Sequence, residues 1–553
     1  MRSRTYRYLP LALCLALTGC GPAEEPAASN TASADAPAAA VAQQRPVPEV
    51  DIARIQADAE ALAADDMQGR DTGSEAYDRA AAFVAAAMAE AGLVPAGVDG
   101  YMQPVPYLQR QLDETSTEVI VHRQGGDQRL SYRSDYLMGG DVVRNRTRVR
   151  APLVFAGYGV HAPELGVDDF AGVDVEGAIV VILSGAPPSF PSELRAYYAS
   201  GRTKDEAIAS RGAVGVISIP SNVDRARRPW DRSVRYAGRP GMSWLSEAGE
   251  ASGFFATISG SASLSPDAAD ALIASTGREP AAFLAAAETG DYATFRFGFD
   301  ATLARRTEHE LVESPNVVGL LPGTDPRLSD QIVVISAHLD HLGVCPADES
   351  GDTICNGFYD NAMGTAILLE TARTLAAVGT PRPVLFIAVS GEEKGLLGSD
   401  YFANHPTVPI DQLIADVNLD MPVMMEPTDE IVAFGGDHTS LGPIAARAVE
   451  AVGMRLVPDP IPEEAIFVRT DHYMFVRQGI PAIYLSPTVG EAFGTFLHDN
   501  YHQPSDQSDL PVDWPSMGRF ARANMAIAMA ITDAATPPTW NEGDFFGELF
   551  AGD

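Results

Sequence analysis

Five separated segments of this 553-residue chain carry side chains able to bind a cation or move a proton. "AHLDH" holds His338, Asp340 and His341. "GFYDNAMG" holds Asp360, "SGEEKG" holds Glu392 and Glu393, and "NLDM" holds Asp420. "DNYHQPSD" holds Tyr501, His502 and Asp506. Each alone has a plain explanation. An aspartate before a helix is commonly an N-cap, paired glutamates commonly a solvated turn, and a single histidine a surface or hydrogen-bonded residue. His122, His161, His309, His405, His438 and His498 take that plain reading, and His341 and His472 stay undecided. Taken together, the five segments mix imidazole and carboxylate. Two zinc ions about 3.5–4 Å apart need such a set, with one shared carboxylate and open positions for water and substrate. The oxygen-rich set also admits manganese or cobalt. The Glu392–Glu393 pair follows an apolar run, "LFIAVSG", where two like charges resist burial unless something neutralises one of them.

The elements that position these residues follow from hydrophobic patterning. "QIVVISA", "RPVLFIAVS", "LIADVNLD" and "IPAIYLS" are short apolar runs that read as strands buried on both faces. Between and after them, "NAMGTAILLETARTLAAVG", "LLGSDYFANH" and the stretches 440–452 and 514–534 read as helices. The alternation predicts an α/β fold, a mainly parallel central sheet flanked by helices, with its site off the carboxyl ends of the strands. The metal-binding candidates cluster at those ends. Upstream, "IARIQADAEALAADD" and "AYDRAAAFVAAAMAEAG" are Ala-rich helical stretches joined by the turn "MQGRDTGS". Short alternating runs between Tyr101 and Arg148 suggest strands. At Ala151 the texture changes to glycine-punctuated β runs ("APLVFAGYGV", "EGAIVVILSG", "GAVGVISIPS"). This predicts a β-rich module over 151–300, with an irregular surface loop from Asn222 to Gly241.

The amino end has a different character. Arg2, Arg4 and Arg7 precede a short apolar run and "LTGC", the layout of an export signal. Residues 21–48 are rich in Ala and Pro and predict a disordered tether. With Cys14 in the leader, Cys345 and Cys355 are the cysteines left to pair if Cys20 is used otherwise. Export permits a disulfide, one that closes a short loop and is worth about 3 kcal/mol by chain entropy; free thiols or a soft metal site are the alternatives. Acids outnumber Lys and Arg 74 to 39, a formal charge of −35. That balance argues against a nucleic-acid partner.

The segments "AHLDH", "YDNAMG", "SGEEKGLLGS", "NLDM" and "YHQPSD" resemble the M28 family of zinc metallopeptidases. "RTDHYMFVRQGIPAIYL" resembles the same family's pattern, with Thr470 where that pattern has serine. The resemblance is close over 316–534 and loose over 51–92. It implies two zinc ions per chain. His338 and Asp420 would hold one, Glu393 and His502 the other, and Asp360 would bridge them. It also implies Glu392 as general base and Tyr501 as a hydrogen-bond donor to the carbonyl oxygen. Asp340 and Asp506 are candidates to orient the two histidines. "LTGC" resembles a bacterial lipobox, implying lipidation at Cys20 and a lipid-anchored, exported protein. The 151–300 module resembles a protease-associated domain inserted between two parts of the catalytic domain, 49–150 and 301–553, after a leader at 1–20. The implied activity is an aminopeptidase acting on peptides, with a homodimer left open. The alternatives are a glutamate-carboxypeptidase-like enzyme, with Arg469 and Arg477 as candidate carboxylate binders, a one-zinc glutaminyl cyclase, and an inactive membrane-tethered scaffold.

Overall fold

Strand Ile332–His338 sits at the centre of a large sheet. It is paired in parallel with Val384–Val389 on one side and Leu413–Leu419 on the other. Ala482–Ser486 extends the parallel set, and Glu430–Phe434 closes that edge antiparallel. These features belong to a computed structural model that describes residues 45–487 and 490–552. The leader, Cys20 and residues 21–44 of the expected tether lie outside the described residues. On the opposite flank, antiparallel strands Phe295–Leu321, Met102–Leu112 and Gly241–Trp244 continue the sheet.

The continuous apolar runs are explained by burial on two faces. Val333, Ile335, Ala337, Val384, Phe386 and Ala388 face one core, made with helices Ile52–Leu62, Glu75–Glu90, Met363–Val378, Leu441–Ala451 and Trp514–Asp533. Their alternating neighbours Ile332, Val334, Leu385, Ile387 and Val389 face a second core with helices Leu397–Asn404 and His472–Val476. The period-2 side-chain alternation thus splits one apolar strand between two apolar layers.

A second lobe has its own sheet and cores, with strands Ile179–Leu183 and Gly215–Ile219 parallel at its centre. The two lobes share one element. In the 27-residue strand Phe295–Leu321, Asp300 to Arg306 pair with Glu118–Arg123 and Arg146–Phe155 of the second lobe. Thr307 to Val317 pair with Met102–Leu112 of the first. The expected boundary at Ala151 is therefore displaced. Glu118–Arg123 and Gly126–Arg129 already belong to the second lobe, while Gly241–Trp244 returns to the first sheet. Strand partners are set by long-range pairing, which local alternation does not encode.

Two further expectations change. The tether was expected to extend to residue 48, but Arg522 donates to the carbonyls of Val47 and Pro48, and Val47 packs on the core. The stretch 222–241 is not an irregular surface loop. It forms short helices Asn222–Arg227 and Trp230–Tyr236. Cys345 and Cys355 are joined, with Cα atoms 5.8 Å apart. Among the described residues, no helix is long and apolar enough to cross a membrane.

Candidate metal centre

The carboxyl edge of the parallel strands collects the chemistry. His338 is the last residue of its strand, Asp420 follows Leu413–Leu419 directly, and Glu392–Glu393 lie in the turn after Val384–Val389. Asp360 comes from the tight turn Phe358–Ala362, which leads into helix Met363–Val378. That turn needs Gly357, which has φ +60° and where a Cβ would lie 2.2 Å from the Asp360 carbonyl oxygen. His502 follows helix Glu491–Asp499 and has a left-handed backbone at φ 62°, which costs of order 1 kcal/mol.

Two clusters form around one carboxylate. In the first, His338 Nε2 lies 3.1 Å from Asp420 Oδ1 and 3.3 Å from Asp360 Oδ1. In the second, His502 Nε2 lies 3.1 Å from Glu393 Oε2 and 3.4 Å from Asp360 Oδ2. Asp360 thus turns one oxygen to each cluster. His341 joins the second, its Nδ1 2.7 Å from Glu393 Oε1 and 3.8 Å from Asp360 Oδ2. His338–Asp360–Asp420 and His341–Asp360–Glu393 each bring their donor atoms close enough to share an ion. The donor set passes a second test of fit. His502 Nε2, Glu393 Oε1 and both ring nitrogens of His341 are buried and make no well-aligned hydrogen bond, the 2.7 Å approach of His341 Nδ1 to Glu393 Oε1 included. Buried polar atoms left this way are costly, and lone pairs converging on a common point are what a cation satisfies. Sequence reasoning left His341 undecided. Its only signal was a second imidazole three residues after His338.

The supporting carboxylates act differently from expectation. Asp340 does not orient His338 with its side chain, since the His338 Nδ1 contact at 3.1 Å is to the Asp340 backbone carbonyl. The Asp340 carboxylate instead accepts from the backbone N–H of Glu392 (3.1 Å), the N–H of Glu393 (3.3 Å) and the Thr72 hydroxyl (2.9 Å), and so fixes the glutamate turn. Asp506 likewise does not reach His502. It accepts from the N–H groups of Tyr359 (3.0 Å) and Asp360 (3.1 Å) and shapes the turn that presents Asp360. An aspartate accepting from successive amides holds a turn as firmly as it would an imidazole, and sequence does not tell these apart. The His502 backbone is held from the second lobe, because the Tyr236 hydroxyl donates to its carbonyl at 2.6 Å.

Sequence reasoning also passed over Arg70, within the "MQGRDTGS" turn. It is fully buried and donates to the carbonyls of Leu62, Leu339, Asn356 and Gly357. It thereby ties the first helix to the loops carrying His338 and Asp360.

The adjacent glutamates are driven apart electrostatically. Burial, together with Glu393, Asp420 and Asp471, pushes the Glu392 carboxyl well above its usual range against the pull of His338. Burial would also raise Glu393, but His502 and His341 outweigh it and hold the group well below that range. Burial opposes the charge on His502, yet Glu393 and Asp360 keep its pKa near 9. One glutamate is thus suited to hold a proton and the other to stay ionised, the pattern that separates acid–base from ligand roles. Tyr501 stacks on His502 at 3.7 Å between ring centroids, and its hydroxyl accepts from Arg469 at 3.1 Å.

A cavity of about 710 Å³ opens on Asp360, Glu392, Asp420, Tyr501 and His502. Fold and site together define a candidate metal centre at the carboxyl edge of an α/β sheet. Residues 316–528 match the model of peptidase family M28. Over 92 residues the chain is 35% identical to aminopeptidase YwaD of Bacillus subtilis, covering 17% of this chain and 18% of that protein. It is 26% identical over 267 residues to a probable zinc metalloprotease of Pyricularia oryzae, covering 41% and 51%. The matches span only 18% to 24% of the length of the first three curated relatives. Among solved structures, an aminopeptidase from Aneurinibacillus sp. strain AM-1 superposes with a TM-score of 0.52 at 19% identity. That match covers 89% of this chain and 98% of the other, and it shows a shared fold.

Proposed function

We propose that the protein is a zinc-dependent aminopeptidase that releases N-terminal residues from peptides, with two zinc ions per chain. The observation that carries this reading is the pair of His/carboxylate clusters sharing Asp360, with Glu392 facing the same cavity outside both clusters. The names of the curated relatives, an aminopeptidase and zinc metalloproteases, support it. His338, Asp360 and Asp420 would hold one ion, and Asp360, Glu393 and His502 the other, with His341 beside the second. Zinc bound there supplies Lewis acidity to the scissile carbonyl and to the attacking water.

The chain's own residues do the rest. Glu392 takes the proton of the attacking water and returns it to the leaving amine, a role matched to its raised pKa. Tyr501 presents its hydroxyl to the carbonyl oxygen while Arg469 fixes the phenol oxygen. A substrate's free α-amine would be received at the metal cluster, beside Glu392 and Asp420. By its leader, we propose an exported, lipid-anchored protein.

Glu392→Gln tests the base. The variant is expected to keep its metal in elemental analysis and lose hydrolysis of leucine p-nitroanilide by about 10²–10⁴-fold. Full activity in that variant refutes the assignment.

A further inference from the structure

Part of the wall of the cavity is basic, in a chain whose formal charge is −35. Arg227, Arg228, Arg232 and Arg469 line it, with Glu464 as the acid among them. Arg227 and Arg232 come from the two short helices of the 222–241 stretch, and Arg228 lies in the link between them. Their engagement differs. Arg227 is committed to Glu463 and Glu464, and Arg469 to Glu464 and the Tyr501 hydroxyl. Arg228 has only long contacts, 3.8 Å to Glu464 and 3.9 Å to Asp224, and its side chain is 55% exposed. Arg232 has no carboxylate partner among the described residues. It donates to the carbonyls of Leu497 (3.3 Å) and Tyr501 (3.2 Å) beside the ring of Tyr501. Of the two arginines singled out from sequence, Arg477 is not part of this wall and pairs with Glu206.

We propose that Arg228 and Arg232 bind a substrate carboxylate on the leaving-group side of the scissile bond, so that the enzyme selects short peptides with a free C-terminus. This rests on the aminopeptidase reading. An α-amine received at the metal cluster places the first residue there, so a carboxylate reaching the arginines belongs to the rest of the peptide. The cavity volume suits a di- or tripeptide spanning both poles. Guanidinium groups that lack an acid partner retain the donors such a carboxylate needs.

The test compares kcat/KM for Leu-Gly and Leu-Gly-amide in the zinc-loaded enzyme, with leucine p-nitroanilide as the reference for basal hydrolysis. The wild type should favour the free acid by about tenfold or more. In Arg228→Gln and Arg232→Gln that ratio should fall towards one, chiefly through KM. An arginine acting only as a clasp between lobes would lower both substrates equally and overturn the proposal. Should Arg232→Gln misfold, the exposed Arg228→Gln carries the test. Leu-Glu-amide preferred over Leu-Gly-amide supports the same wall reading a side-chain carboxylate. Glutamate p-nitroanilide preferred over leucine p-nitroanilide places the carboxylate on the first residue and overturns it. Hydrolysis of leucine p-nitroanilide with a ratio of one refutes the arginine site and leaves the aminopeptidase standing. Cleavage of N-acetyl-Leu-Gly but not of leucine p-nitroanilide refutes the aminopeptidase reading itself.

Discussion

His438 ties three parts of the molecule together, and raising the pH should untie them. Its Nε2 contacts Glu193 on the second-lobe helix Ser192–Ala199, and its Nδ1 lies 2.5 Å from Asp544 in the C-terminal segment. Phe546 packs edge-on against the imidazole, and Tyr197 of the same second-lobe helix packs on Phe545, Phe546 and Phe550. Burial disfavours the imidazolium, but Glu193 and then Asp544 outweigh it and raise the pKa to about 9 from an ordinary 6.5. A folded-state pKa above the unfolded one means the folded state binds the extra proton. The stabilisation is fully present below about pH 6.5 and is lost as pH rises through about 9. At 1.36 kcal/mol per unit, the whole contribution is about 3 kcal/mol, falling with a limiting slope of about 1.4 kcal/mol per pH unit inside that window. Buried Lys204, whose pKa burial lowers to about 8, works in the opposite direction above pH 8. The readout is therefore the difference between wild type and His438→Asn in denaturant unfolding at pH 6, 7.5 and 9.5. The two should differ most at pH 6 and converge by pH 9.5. Parallel pH profiles would show that folding does not raise the His438 pKa and would refute the clasp.

Further outcomes follow from the supports of the metal cluster. Tyr236→Phe removes the hydroxyl that holds the His502 carbonyl and should weaken metal retention against a chelator by about tenfold, with little change in melting. Arg70→Met leaves four buried carbonyls without their donor and should cost more than about 3 kcal/mol in unfolding free energy; Arg70→Lys should restore only part, because one ammonium cannot span all four. Cys355→Ser should cost about 3 kcal/mol, read in denaturant titrations without reductant, with reductant lowering the wild type to the level of the variant.

What the sequence reveals of this centre depends on where each residue's partner lies. His338, Glu392, Glu393 and Asp420 were legible because parallel strands buried on both faces read as unbroken apolar runs, and a charged residue at the end of one stands out. Asp360 was legible from the apolar helix it precedes. Asp340 and Asp506 were legible as important and misread in role, because their partners are backbone amides of other segments. Arg70 gave no signal, since a lone arginine in a glycine-containing turn normally faces water. Its burial is a consequence of four carbonyls arriving from three other segments.

The second lobe shows the same limit on a larger scale. One strand, Phe295–Leu321, belongs to both sheets, so the position of the lobe over the cleft is a matter of register. Arg306 pairs with Arg146 in one sheet, and the next residue, Thr307, pairs with Leu112 in the other. A slip of one residue along this strand would move side chains to the opposite face and shift the attached lobe by about 3.3 Å. That displacement exceeds the tolerance of the 2.6 Å hydrogen bond from Tyr236 to His502 and of the Arg232 contacts to Leu497 and Tyr501. Register on one shared strand therefore fixes the setting of His502 and the placement of the cavity arginines together.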